Sequence, residues 1–297
     1  MPEFVKVKPV VSIVLGSYNR RAFLQRTLDS VRDNEMGFPY EIIVVDGGST
    51  DGSLDYLKRQ KDVITIIQHN RGTFRGKPVE RRSWGYFMNL GFKCAQGKYI
   101  CMISDDCLLV PGAVTNGVDL FEKLLSQGRK VAAMAFYWRN WPDQKDYWVG
   151  YTWGGKMFVN HGLYLRDAIA SVGWIEEDMY SFYHADGDLC LKLWQKGMEV
   201  VDAPDSFVEH FTHANVKVRE SNLINQKKDW LACQERWEGV FGSLSQERFP
   251  DWLYRSYKDP FTTFTKFPFL SRVYASIQFE KGKIISKIKP YIKNVLE

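Results

Sequence analysis

The chain has no apolar run close to the roughly 20 residues needed to cross a bilayer. It also lacks a cysteine framework: Cys94, Cys101, Cys107, Cys190 and Cys233 form no CxxC pair, and the first four lie in apolar surroundings. That pattern reads as reduced, buried thiols of a cytosolic protein rather than a set of disulfides. The opening MPEFVKVKPVVSIVLGS resembles a signal peptide only superficially, because its apolar part is short and better explained as a first strand. A glycine-rich, basic phosphate loop is missing as well, since Gly16-Ser17-Tyr18-Asn19 carries a single glycine. Charge of one sign is scarce over most of the length. Of the net +5, residues 252–297 hold nine Lys/Arg against three Asp/Glu, which leaves residues 1–251 nearly balanced. No nucleic-acid partner is expected from such a distribution.

What the chain does have is enough length, 297 residues, to bury a sizeable core, and an ordinary mix of 45% hydrophobic and 25% charged residues. Ten Trp, 15 Tyr and 19 Phe suit stacking on flat rings or sugar faces, although an aromatic core accounts for such counts equally well. Apolar runs at Val10–Leu15, Glu41–Val45, Val63–Ile67 and Tyr99–Ile103 read as strands. Between them, Arg20–Val31, Ser53–Arg59 and Pro78–Ala95 carry apolar residues at helical spacing. Strands alternating with helices predict βαβ units and a mostly parallel sheet. Ligands of such sheets gather outside the carboxyl ends of the strands, where the ends near Ser17, Asp46 and Asp105 converge.

The organising stretch is Lys98–Gly112, KYICMISDDCLLVPG. Asp105 and Asp106 at the mouth of a buried strand repel one another and lose hydration, so something cationic should compensate. Oxygen ligands favour a hard divalent ion. A bare Asp-Asp pair in a solvated turn is the bland alternative. Arg71, Arg75, Lys77, Arg81 and Arg82 cluster ahead of the third helix, either as a site for a diphosphate or anionic acceptor or as a solvated loop.

VSIVLGSYNR, EIIVVDGGSTDGS, NLGFKCAQGKYICMISDDCLLVPG and HADGDLCLKLWQKG, in this order, resemble the inverting family 2 glycosyltransferases of GT-A fold over roughly residues 8–215. The resemblance implies an α/β, Rossmann-like three-layer domain with a mixed, mostly parallel central sheet, at 1–217. A helical, basic, aromatic-rich C-terminal extension follows at 218–297. It implies transfer of a sugar, with inversion, from a nucleotide-diphospho-sugar donor to a carbohydrate or lipid-linked acceptor in surface polysaccharide or glycolipid synthesis, with Mn²⁺ or Mg²⁺ as cofactor. Ser17, Tyr18, Asn19, Asp46 and Asp105 fall to the donor nucleotide, Asp106 and His210 to the metal, and Asp186 to the general base. Trp153, His161, Arg75 and Asp188 fall to the acceptor or sugar pocket. Each has a plainer reading: Asp46 caps its own turn, Asp186 and Asp188 cap a helix or Asp188 pairs with Lys192, Trp153 packs, and His210 and His213 are ordinary histidines. Ser104 stands where the family has its first metal-motif Asp, and Ala185 where it has Glu. These two substitutions support a rival class, a non-catalytic carbohydrate- or nucleotide-binding module. A nucleotidyltransferase ranks last for want of the glycine-rich loop.

The tail is different material. Ile284, Ile285, Ile288, Ile292 and Val295 share one helical face, with Lys283, Lys287 and Lys293 outside it and Pro290 as a kink. A helix lying on anionic lipid fits, and so does one packed on the domain or a second subunit. The expected setting is cytoplasmic, at or near the inner membrane face.

Overall fold

The structure is a computed structural model and describes residues 7–140, 144, 146–211, 221–242 and 253–255. The elements run β1 (Val11–Ser17), α1 (Arg21–Arg32), β2 (Tyr40–Asp46), α2 (Ser53–Leu57), β3 (Val63–Ile67), β4 (Thr73–Phe74), β5 (Lys77–Pro78), α3 (Trp84–Cys94), β6 (Tyr99–Met102) and β7 (Cys107–Leu109). They continue with α4 (Ala113–Ser126), β8 (Val131–Asn140), β9 (Tyr147–Val149), β10 (Tyr151–Thr152), β11 (Lys156–Met157), β12 (Gly162–Leu165), α5 (Arg166–Ser171), α6 (Ala185–Gln195), β13 (Glu199–His210), α7 (Gln226–Trp237) and β14 (Leu253–Arg255). His213 and the isoleucine-lysine tail lie outside the described residues.

The main sheet is ordered β14-β9-β8-β12-β6-β1-β2-β3, with β13 pairing both β8 and β7. β1 runs parallel to β2 and β6, β2 to β3, and β13 to β8. β12 inserts antiparallel between β6 and β8, so the sheet is mixed with its long ladders mostly parallel. Because successive residues of a strand face opposite ways, the central strands feed two cores. Val11, Ile13, Leu15, Ile42 and Val44 pack with Leu24, Leu28 and Val31 of α1 and Val118 and Phe121 of α4. Val14, Ile43 and Val45 pack on the other face with Phe87, Met88 and Phe92 of α3 and with the apolar residues of α6. Two helical layers enclose one sheet, and both faces of its strands are therefore apolar, as the unbroken runs in the sequence required.

Two boundaries differ from expectation. The third helix begins at Trp84 rather than Pro78, because Lys77–Pro78 pairs as a strand with Thr73–Phe74. Ser83 supplies the helix start, its Oγ accepting from the Tyr86 N–H at 3.0 Å. The strand expected at Glu199–Ala203 runs on to His210, which makes that histidine a strand residue held in register beside Asn140 and Cys107. The described part of the C-terminal extension belongs to the same body. Cys233 and Trp237 of α7 are buried in the α3/α6 core, and β14 pairs with β9.

Candidate active site

The parallel strands β1, β2 and β6 end at Ser17, Asp46 and Met102, and beyond their ends lies a cavity of about 370 Å³. Asp105 and Asp106 form one wall of it, both nearly fully buried. Their compensating cation is Arg20, whose Nη1 donates to Asp105 Oδ1 at 2.8 Å and to Asp106 Oδ2 at 2.7 Å. Arg20 sits at the start of α1, so the helix that packs beneath the strands also delivers the charge. Thr27 of the same helix donates to the Asp105 carbonyl at 3.0 Å and fixes the turn from below. Burial pushes the Asp105 carboxyl up to about 6, with Arg20 pulling down and Asp106 pushing up.

At the β1 and β2 ends, Ser17 and Tyr18 line the cavity and Asn19 does not. Asn19 stitches the two loops together, its N–H donating to Ser49 Oγ at 2.9 Å and its Oδ1 accepting from the Thr50 N–H at 2.7 Å. Asp46 is fully buried behind the cavity. Its Oδ1 accepts from the N–H groups of Gly48 and Ser49, and its Oδ2 from Ser49 Oγ. The carboxylate therefore shapes the Gly-Gly-Ser turn, as the capping alternative had it. Gly48 is needed there: its φ is +89° and an added Cβ would lie 2.4 Å from His69 Nδ1.

Beside Asp106, His210 lines the cavity with Nε2 3.6 Å from Asp106 Oδ1, while its Nδ1 donates to Asn140 Oδ1 at 2.9 Å. Held in this way, His210 turns its Nε2 toward a carboxylate oxygen, an arrangement in which a histidine and an acid can share a cation. Asp106, Cys107 and His210 each offer one ligand atom, and these atoms lie within 4.8 Å of one another. Cys107 is close to the pair, but burial pushes its thiol well above its usual range and keeps it protonated, so it is a poor third ligand. The neighbouring pair of Arg139 and Glu209 is fully buried, with Arg139 Nε and Nη2 donating to the carboxylate at 2.8 Å and the Tyr147 hydroxyl donating to it as well. It pins β8 to β13 immediately beside Asn140 and His210.

Asp186, on the first turn of α6, also faces the cavity. Its Oδ1 accepts from the Gly187 N–H at 2.8 Å, and burial pushes its carboxyl up to about 6. The segment that leads into it, Ser181–His184, forms the adjoining wall. That segment is clamped from outside by Asp229 of α7, a fully buried carboxylate that accepts the N–H groups of Ser181, Phe182 and Tyr183 at 2.8–2.9 Å. His184 then takes φ +67°, which turns the chain into α6.

Four expected pocket residues are elsewhere. Trp153 is fully buried and donates to the Trp237 carbonyl, a packing role against α7 rather than a sugar platform. His161 is buried against Cys107 and Trp138, and burial together with His210 holds its pKa well below the usual range. Arg75 lies on the exposed β4–β5 turn over the Phe74 ring. Asp188 is fully buried and tied by Tyr180, Trp237 and Arg236 instead of reaching the cavity or pairing with Lys192, whose Nζ donates to the Trp174 carbonyl. Ser104 does line the cavity, whereas Ala185 is fully buried and does not. Arg20, Asn140 and Asp229 were missed. For Arg20 the signal was present, because the paired aspartates demanded a cation and an arginine follows the first strand by three residues.

The family model for glycosyl transferase family 2 matches residues 12–171, more than half of the chain. The chain belongs to glycosyl transferase family 2. The site just described lies on the matched segment, except for the Ser181–Asp186 stretch, Glu209, His210 and Asp229. Among relatives of this family 2 chain, the putative teichuronic acid biosynthesis glycosyltransferase TuaG of Bacillus subtilis is 31% identical over 106 residues, covering 33% of this chain and 36% of that protein. The putative glycosyltransferase EpsH of the same organism is 31% identical over 107 residues, covering 35% and 28%. The chain thus spans about a third of the length of these relatives. Among solved structures, the mannosyltransferase PcManGT from Pyrobaculum calidifontis, in complex with GDP-Man and Mn²⁺, superposes with a TM-score of 0.56 at 16% identity. That match covers 84% of this chain and 69% of the other, and the shared fold is GT-A.

Proposed function

We propose that this chain transfers a sugar, with inversion, from a nucleotide-diphospho-sugar to a hydroxyl acceptor. The observation that carries the reading is that one cavity, at the carboxyl ends of the parallel strands, collects Asp105, Asp106 and His210 on one wall and Asp186 on another. An in-line displacement needs a cation to stabilise the leaving diphosphate, which acids and a histidine could hold, and a base for the incoming hydroxyl.

Asp106 and His210 would hold a divalent ion, Mn²⁺ or Mg²⁺, which when bound offsets charge on a leaving diphosphate. Arg20 leaves Asp105 and Asp106 partly neutralised, and Asp105 faces the ribose side of the donor. Ser17 and Tyr18 line the nucleotide end, with Asn19 and Asp46 shaping the loops behind them. Asp186 accepts the acceptor proton. Its raised pKa suits the task, since a base near 6 is ionised at neutral pH and still takes a proton in the transition state. Ser181–His184, clamped by Asp229, orients the backbone that carries it. TuaG is named for teichuronic acid biosynthesis, which supports a glycan product, and PcManGT was solved with GDP-Man and Mn²⁺, which supports a nucleotide-sugar donor. Residues 1–217 together with α7 form the catalytic body, and the later tail is the candidate for membrane-face attachment. No described helix is long and apolar enough to cross a membrane.

The non-catalytic alternative rests on Ser104 and Ala185. It loses weight because Asp105, Asp106 and Asp186 all line the cavity. Calorimetry of UDP- and GDP-sugars with Mn²⁺ and with EDTA, followed by a product assay on the donor that binds, tests the reading. Metal-dependent donor binding with turnover is expected. Binding without turnover over a panel of glycan acceptors would favour the binding module, and equal affinity in EDTA would remove the metal.

A further inference from the structure

Arg71 and Arg81 are used by nothing in the reaction described above. They come from either side of the β4–β5 hairpin and converge on a single oxygen, Asn222 Oδ1, each donating to it at 2.5 Å. Their other contacts go to Ser221, its Oγ for Arg71 and its carbonyl for Arg81. Neither guanidinium makes a salt bridge to a carboxylate among the described residues, Asp229 acting on Arg81 only through space, and each spends two of its five N–H donors. Two cations held together by a neutral amide, without an acid between them, is a costly arrangement unless an anion completes it. The strain registers on Arg71, whose pKa is lowered to about 10, by burial first and by Arg81 second.

The pair also stands in a telling place. Both arginines line the transfer cavity, and both line a second, more open recess of about 390 Å³ on its flank, along with Tyr18, Asn70 and Ser221. Among the described residues, no acidic side chain lines that recess. Its walls are positive and hydrogen-bonding, with the Tyr18 ring lying 5.5 Å from the Arg71 guanidinium carbon.

We propose that Arg71 and Arg81 form a phosphoryl-binding site on the flank of the cavity, which takes a phosphate or diphosphate group of a substrate. The inference rests on the transferase reading for the substrate's role but not for the binding itself. Two sources carry the same chemistry, the donor's diphosphate and a phosphorylated acceptor. The recess side of the pair favours the acceptor, because the acidic wall of Asp105, Asp106 and His210 already provides a place for the donor's diphosphate.

The test measures pyrophosphate affinity of the full chain by calorimetry in EDTA, for wild type, Arg71→Gln, Arg81→Gln and the two Lys variants. Wild type binds, and each Gln variant binds at least about tenfold more weakly, the loss of one charge-assisted contact. The Lys variants, which keep the charge but not the fork, fall between. They carry the test if a Gln variant melts early. Pyrophosphate affinity that is absent in wild type, or equal in wild type and correctly folded Gln or Lys variants, overturns the proposal. A second arm assigns the source. Nucleotide-sugar affinity in Mn²⁺ that falls with the Gln variants assigns the site to the donor. Unchanged donor affinity with weakened binding of an alkyl diphosphate assigns it to the acceptor. Arginine-dependent pyrophosphate binding in a chain that transfers no sugar would overturn the transferase reading alone.

Discussion

Asp186 is the residue on which the proposed chemistry turns, and its environment predicts two separable effects of one substitution. Asp186→Asn keeps the shape but cannot take the proton, so turnover should fall by about 10²–10⁴ while donor affinity stays near wild type. The stability effect has the opposite sign. Burial raises the folded pKa from 3.8 to about 6, so the protonated form favours the fold below about pH 4. That advantage is lost as pH rises through about 6. At pH 7 the wild type bears the cost of a desolvated carboxylate, and Asp186→Asn should be more stable by about 1–2 kcal/mol, discounted for the face open to the cavity. Denaturant unfolding at pH 4 and pH 7 checks this: a variant less stable at pH 7 would mean that the carboxylate is held by contacts it needs. In wild type, kcat/KM should rise with pH through a limb near 6, and the absence of that limb would remove Asp186 as the base. Arg20 is the second decisive residue. Arg20→Met strands two buried carboxylates and should cost about 3 kcal/mol or more at pH 7, read as a lower denaturant midpoint. An unchanged midpoint would show that the aspartates are neutralised in some other way.

At the scale of elements, the site depends on two clamps that do not touch substrate. The Asp229 carboxylate gathers three N–H groups of the Ser181–Tyr183 segment, and Asp229→Ala leaves them buried without an acceptor, at about 1–3 kcal/mol for each that water cannot reach. The segment should loosen, which predicts early protease cleavage near 181–184 and a fall in turnover with donor affinity little changed. Asp229→Asn, which keeps one acceptor oxygen, should recover part of both. Cleavage and turnover that match wild type would reduce Asp229 to a packing residue. The Arg139–Glu209 pair is the other clamp. Glu209→Leu removes the partner of a fully buried guanidinium and should cost about 3–5 kcal/mol. Because His210 is the next residue on β13, Mn²⁺ affinity should drop as well, measured by calorimetry on the folded fraction.

For the whole molecule, the boundary between body and tail is the testable matter. α7 and β14 belong to the described body, through Trp237 in the α3/α6 core and through pairing with β9. A chain ending after Arg255 should therefore keep donor affinity and most of its stability. A chain ending at Pro250 loses β14 and should melt lower. If the tail binds anionic lipid, only the full chain should sediment with phosphatidylglycerol vesicles, and more so at low salt. Full-length chain that ignores such vesicles would leave packing on the body or on a second copy as the tail's role.

Several features were legible in the sequence because they depend on local pattern. The strands β1, β2 and β6 appear as apolar runs because both faces of a central parallel strand are buried, whereas β3, at the sheet edge, leaves Ile64 and Ile67 exposed. The ends of β1, β2 and β6 are marked by Ser17, Asp46 and Asp105, since polar residues resume where the strands give way to the loops around the cavity, and the family motifs sit on those ends. Other features needed the folded chain. Arg20 meets Asp105 and Asp106 across 85 residues, Asn140 meets His210 across 70, and Asp229 reaches the Ser181–Tyr183 segment from a helix outside the matched region. Trp153 and Asp188 looked like site residues in one dimension and are interior ones in three, because α7 covers them. Aspartate, tryptophan and arginine have the same letters whether they face a cavity or a core. Which they face is decided by what packs over them, and contacts between distant elements leave no periodic trace in the sequence.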